Sequence, residues 1–215
     1  GCGSSSVFYK VSKLKLFSEE LAKIGWSFLA FNNRGAHYLK KFCFGEGEEK
    51  IDKMYGTATE VIAETVLDID AAIEFLQSRG YTEIVLLGES TGANKICVYH
   101  HYRPDNQILG YALVGGGDDT GLWWQMLEQE AEPLFDQATE RVKSGEDLEL
   151  INPNLSHWLM SYRGLYDVMN PNGDYNCFPY AEYFGEVKRS NLPLFRYFRE
   201  IDKPSLVLYG SEDPY

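Results

Sequence analysis

The residues with the clearest chemical potential form the run Gly88-Glu89-Ser90-Thr91-Gly92, the pattern G-x-S-x-G. A serine hydroxyl becomes a useful nucleophile only when a turn presents it freely and a base stands ready to take its proton. Glycines two residues to either side permit a turn too tight for side chains, with Ser90 exposed at its tip. The bare pattern arises by chance in about one chain in fifteen of this length. Its setting is more specific. The short apolar run from Glu83 to Leu87 (EIVLL) leads in, and Ala93, Ile96, Cys97 and His100, spaced along one helical face, lead out. Strand, turn and helix in that order are what a nucleophile elbow requires. The Thr91 amide would then sit at a helix N-terminus, where donors lack partners and the dipole favours an anion. A developing oxyanion is such an anion. The bland alternative is a glycine-rich turn with Ser90 as an ordinary helix cap.

Other chemistries fit less well. The run from Gly88 to Lys95 (GESTGANK) echoes a phosphate-binding loop, but only three residues separate its glycines and the lysine comes three residues late. A dinucleotide fingerprint starting at Gly1-Cys2-Gly3 fails at Ser6. Asp118 and Asp119 follow three glycines, yet no further metal ligands accompany them in sequence, so no metal is expected. Cys2, Cys43, Cys97 and Cys177 form no C-x-x-C pair. Free thiols are expected, with Cys97 buried on a helix.

The elements that must position these groups alternate between helix and strand. Leu14, Phe17, Leu21 and Ile24 make one face of a helix that Gly25 ends. Trp26 to Phe31 (WSFLAF) reads as a buried strand, and residues 32–57 as an irregular excursion with a solvated loop over 45–50. Ile62, Val66, Ile69, Ile73 and Leu76 predict a helix over 58–79. Further strands are expected over 83–87, 108–114 and 205–209, with a helix over 91–102 between the first two. Short, continuously apolar strands separated by helices indicate an α/β fold with a parallel sheet covered on both faces. Residues 118–200, rich in Trp, Tyr, Phe, Asn and Pro, offer helices but no clear strand and read as a helical cap inserted into a core made of 1–117 and 201–215.

Composition sets outer limits. The 215 residues carry a net charge of −12. That balance argues against a non-specific grip on nucleic acid or an anionic membrane. The apolar fraction of 44%, the charged fraction of 24% and the aromatic fraction of 14% are those of a globular chain rather than a disordered one. No apolar run approaches the roughly 20 residues of a spanning helix, and no signal peptide opens the sequence. A cytoplasmic setting is the expectation.

With its elbow GESTG, the run Phe31-Asn32-Asn33-Arg34-Gly35 after an apolar strand, and the stretch from Lys203 to Asp213 (KPSLVLYGSED), the chain resembles the α/β-hydrolases. The likeness covers nearly all of it outside 118–200, and the run FNNRGAH suggests a poorly characterised subgroup. This resemblance implies an α/β-hydrolase fold with four strands, WSFLAF, EIVLL, ILGYALV and SLVLY, as the fourth to seventh of its sheet. It implies Ser90 as nucleophile and Asp213, in G-x-x-D after a strand, as the carboxylate that orients a histidine. The bland reading of Asp213 is a turn former. Gly1-Cys2-Gly3 resembles the end of an H-G-x-G loop, which makes the Cys2 amide a second oxyanion donor beside Thr91. In the order Ser, Asp, His the base follows the acid, so a histidine beyond Tyr215 is expected. The sequence then reads as a fragment that lacks its first strands and its last.

The four histidines present fit the base poorly. His37 and His157 are candidates for lining a pocket, as is Trp123. His100 and His101 lie far along the helix after the elbow and read as structural. The resulting expectation is a serine hydrolase that cleaves a carboxylic ester, with a small acyl substrate and no cofactor. A peptidase or thioesterase of the same fold is the alternative, as is a non-catalytic binding module. Acyl group, leaving group and oligomeric state are not legible.

Overall fold

The computed structural model describes residues 5–156, 158–185 and 187–213. It is a mixed α/β structure. A parallel sheet runs β3 (Val85–Glu89), β4 (Gly110–Val114) and β5 (Ser205–Leu208), in that order. A separate antiparallel hairpin joins β1 (Lys40–Phe44) to β2 (Ile51–Tyr55). The helices are α1 (Val11–Lys23), α2 (Thr65–Ser78), α3 (Thr91–Tyr102), α4 (Asp119–Leu127), α5 (Ala131–Ser144), α6 (Pro153–Ser156), α7 (Tyr162–Met169), α8 (Tyr180–Tyr183) and α9 (Arg196–Glu200). No helix among the described residues is long and apolar enough to cross a membrane.

The core sits around α3, which packs on β3 and β4 and is flanked by α2 and α9. Every residue from Thr91 to His100 is buried. Such a helix must satisfy its polar side chains internally, and this governs much of the surrounding architecture. Ile62, Val66 and Ile69 of the predicted periodic series are fully buried against it, with Ile73 and Leu76 at the margin.

Three sequence expectations are corrected. The long helix expected from residue 58 begins only at Thr65. The chain before it is held in other shapes by specific bonds: Glu60 is drawn into a buried ion pair, and the Ile62 amide donates to Asp167 Oδ2 at 2.7 Å. Residues 26–31 are not a strand. Their expected neighbour would be β3, but a cavity of about 810 Å³, lined by α1, residues 26–33, α2 and β3, lies between. With no ladder partner within reach among the described residues, an apolar run cannot become a strand, whatever its propensity. The helix before it behaves as expected at its end: Gly25, at φ 83°, closes α1 with Trp26 N–H donating to the Leu21 carbonyl. Yet no residue of α1 is buried. The hairpin, conversely, lies within the stretch expected to be irregular.

Residues 118–200 enter between β4 and β5 and contain helices α4 to α9. α4, α5 and α7 pack on one another, with Phe135 stacked on Tyr166 at 5.8 Å and tilted against Trp124. Most aromatic residues of this region therefore serve its own packing.

Candidate active site

Ser90 stands between β3 and α3 with φ 55° and ψ −131°. Few non-glycine residues adopt a positive φ, and such strain clusters at functional sites. The turn is held on both sides. The Ser90 amide donates to the Val114 carbonyl at 2.8 Å, and its carbonyl accepts from Ala93 N–H at 2.7 Å. The predicted role for glycine is met at Gly88, where a Cβ would collide with the backbone of Gly92. Ser90 makes no side-chain capping bond to the helix it precedes. Its hydroxyl is half-exposed and has no hydrogen-bond partner among the described residues, unlike that of an ordinary helix cap.

Thr91, by contrast, is buried at the first position of α3. Its amide lies within the first turn, where helix donors have no intrahelical acceptor. The other proposed oxyanion donor, Cys2, lies outside the described residues, as does His157.

The carboxyl edge of the sheet carries the rest of the site. Gly115, at φ 56°, turns the chain away after β4, and Gly116 approaches the ring of buried Phe178 too closely to bear a side chain. Tyr209, just past β5, donates its hydroxyl to the Gly116 carbonyl at 2.7 Å and lies 2.6 Å from the Tyr180 hydroxyl. Asp213 follows β5, which is separated from β3 by β4 in the sheet. It is exposed and accepts the Gly210 amide at 2.5 Å, which shapes a local turn.

The described histidines are engaged elsewhere. His37, itself at φ 69°, has Nδ1 3.0 Å from the Tyr9 hydroxyl. His100 is buried, with Nδ1 3.1 Å from the Tyr111 hydroxyl and Nε2 3.0 Å from the Glu200 carbonyl. His101 stacks on Tyr197 at 3.9 Å and pairs with Glu200. Trp123 packs at the margin of the hydrophobic core. Asp118 caps α4 by accepting Gly121 N–H at 2.6 Å and also holds Ala181 N–H. The free cysteines Cys97 and Cys177 are buried, and Cys43 is exposed.

A buried polar cluster lies behind the elbow, and sequence reasoning missed it. Lys95 Nζ meets Glu60 Oε1, whose other oxygen accepts from the Tyr175 hydroxyl at 3.0 Å. Gly35 of the FNNRGAH run packs so close to this carboxylate that no side chain would fit. Arg34 clasps Asp68 through both Nε and Nη2, and reaches Glu64 at 2.6 Å. That run is thus an anchor for the helix α2 side of the core. Asp119 and Asp167 are crowded by protein, and burial pushes their carboxyl pKa values up to about 6 and about 7. The signal that was available is the charge itself: a lysine in a helix beside Ile96, Val98 and Tyr99 needs a partner if that face is buried.

Compared with known proteins, the chain matches no family model, no curated protein and no solved structure.

Proposed function

We propose that this chain is a serine hydrolase of the α/β-hydrolase type, acting on a carboxylic ester. The observation that carries this reading is the conformation of Ser90: a non-glycine residue at positive φ, pinned between strand and buried helix, with its hydroxyl making no capping bond to that helix. Strain of this kind costs roughly 1–3 kcal/mol, and a mere turn would relieve it by placing glycine there.

In this reading Ser90 Oγ attacks the acyl carbonyl carbon while a histidine takes its proton. The carbonyl oxygen, now negative, is held by the Thr91 amide and by that of Cys2. Collapse expels the alcohol with the proton from the histidine, and water then releases the acyl group by the same steps reversed in role. Asp213 orients the histidine, whereas His37, His100 and His101 are engaged elsewhere. The helical region 118–200 is the cap, and 1–117 with 201–215 the core.

The test is labelling of the natural polypeptide with a fluorophosphonate, together with cleavage of a short p-nitrophenyl ester. Label on Ser90, and loss of both activities in Ser90→Ala, support the proposal. Full activity in Ser90→Ala sinks it. A non-catalytic binding module is the second reading, favoured by the absence of any described histidine against Ser90. Intact protein that neither labels nor hydrolyses would support that reading instead.

A further inference from the structure

Asn94 lies one helical turn beyond Ser90 and is wholly buried. Its side-chain Nδ2 donates to the Gly117 carbonyl at 2.9 Å, lies 3.4 Å from the Tyr175 carbonyl and 3.5 Å from Asp119 Oδ2. Its own carbonyl faces Cys177 Sγ at 3.6 Å. Gly117 and Asp119 stand where the chain enters the region 118–200, whereas Tyr175 and Cys177 belong to the far arm of that region. One side chain on the elbow helix thus touches both arms. Asn94 Oδ1 has no partner among the described residues. A buried acceptor left unpaired costs free energy, so stability alone is a poor reason for an asparagine here.

The first turn of α3 is gripped at a second point. The Thr91 side chain faces the Asp119 carboxylate and steadies its ionised form, as does Lys95 from the next turn, while Asp118 and Glu60 oppose it. Asp119 is the first residue of α4, so this contact too runs from the elbow to the inserted region.

We propose that Asn94 is a positioning residue that couples the seating of region 118–200 to the reactive turn, holding the Thr91 amide in place only while both arms of that region are docked. The inference rests on the reading of Ser90 and Thr91 given above, and it deepens that reading by making the cap a condition of turnover. The buried amide acts through geometry. When Gly117 and Tyr175 retreat with the cap, the first turn of α3 loses its outer ties and the oxyanion donor loses its aim.

Two measurements on the natural polypeptide test this. The first is the fluorophosphonate labelling of Ser90 as a function of reagent concentration, which separates reagent affinity from the limiting rate. The second is amide hydrogen exchange over 91–94, 117–119 and 175–177. In Asn94→Ala the limiting rate is expected to fall at least tenfold, affinity to change less than twofold, and exchange to quicken in all three segments. Asp119→Ala, which spares the buried amide, is expected to move both readouts in the same direction, and it decides the matter if Asn94→Ala does not fold. Thr65→Val, which removes a buried hydroxyl that has no partner among the described residues, is expected to leave labelling unchanged. A limiting rate within twofold of wild type in a folded Asn94 or Asp119 variant overturns the proposal. If the wild-type protein does not label, the hydrolase reading falls, and exchange alone judges the coupling. Quickening in all three segments then supports it, and quickening confined to α3 overturns it.

Discussion

Lys95 Nζ lies 2.5 Å from Glu60 Oε1, with both side chains almost fully buried. The pair joins the helix that follows the elbow to the segment before α2, and Tyr175 brings in the inserted region through the second oxygen of Glu60. Isolated charges are not tolerated in such a place, so each partner depends on the other. Glu60→Gln and Lys95→Met are each expected to destabilise the fold by about 3–5 kcal/mol. The double variant Glu60→Gln/Lys95→Met is expected to recover much of that loss. Urea unfolding of the three variants checks this, and simple additivity of the single losses would count against a dependent pair.

The strain at Ser90 gives a second expectation. Ser90→Gly relaxes a positive φ, while Ser90→Ala keeps it. The glycine variant is expected to be the more stable of the two by about 1 kcal/mol, after allowing for the entropy glycine loses on folding. Unfolding midpoints of the two variants decide it. Equal stability would mean that the turn carries no strain. Gly88→Ala, in contrast, is expected to be strongly destabilised because its methyl group meets the Gly92 backbone.

Stability is expected to fall as pH rises from about 4 to about 7. Burial raises the folded-state pKa of Asp119 to about 6 and of Asp167 to about 7, against 3.8 for a free aspartate. The folded chain therefore binds more protons than the unfolded one in this window, and stability that is full below the unfolded value is lost as pH climbs through the folded one. Each unit of displacement is worth about 1.4 kcal/mol. Glu89 acts oppositely, since Lys13 and Lys10 lower its pKa, but its contribution is lost at more acid pH, below its ordinary 4.5. Asp167→Asn keeps an acceptor for Ile62 N–H and is expected to flatten the slope. Thermal midpoints between pH 4 and 8 measure it, and a midpoint that rises over this range in the wild type would contradict the expectation.

Arg34→Lys is expected to cost about 1–2 kcal/mol. The guanidinium holds Asp68 through two nitrogens and Glu64 through a third, a fork that an ammonium cannot reproduce. Chemical denaturation reads the loss. A value near zero would show that the FNNRGAH run is not anchored through Arg34.

Thiol reactivity offers an independent check on burial. Cys43 is exposed, whereas Cys97 and Cys177 are buried, and burial raises the Cys177 pKa well above its usual 9.0. A thiol reagent is expected to modify Cys43 in the native protein within minutes and to reach Cys97 and Cys177 only on unfolding. Peptide mapping by mass spectrometry distinguishes these sites. Early modification of Cys177 would contradict the packing of the far arm of the inserted region.

Much was legible because it depends on local chemistry. G-x-S-x-G between an apolar run and a helical period foretold strand β3, helix α3 and a serine in a turn that only glycine at position 88 allows. Gly25 marked a point where the chain reverses at positive φ. The helices α4 to α9 within 118–200 followed from a composition that offers helical stretches and no clear strand. Residues 26–31 show the limit. Their sequence has every mark of a strand, but a strand exists only with a neighbour at about 4.8 Å, and here a cavity takes that place.

The sequence by itself determined where the chain turns and where a nucleophile can be presented, because backbone sterics and hydrophobic period act over a few residues. Only the tertiary structure decided which charges meet. Glu60, Lys95 and Tyr175 are dispersed over more than a hundred positions, as are Ile62 and Asp167. Burial around α3 forces such groups to find partners, and that demand is set by the packing of distant segments, which no local pattern records.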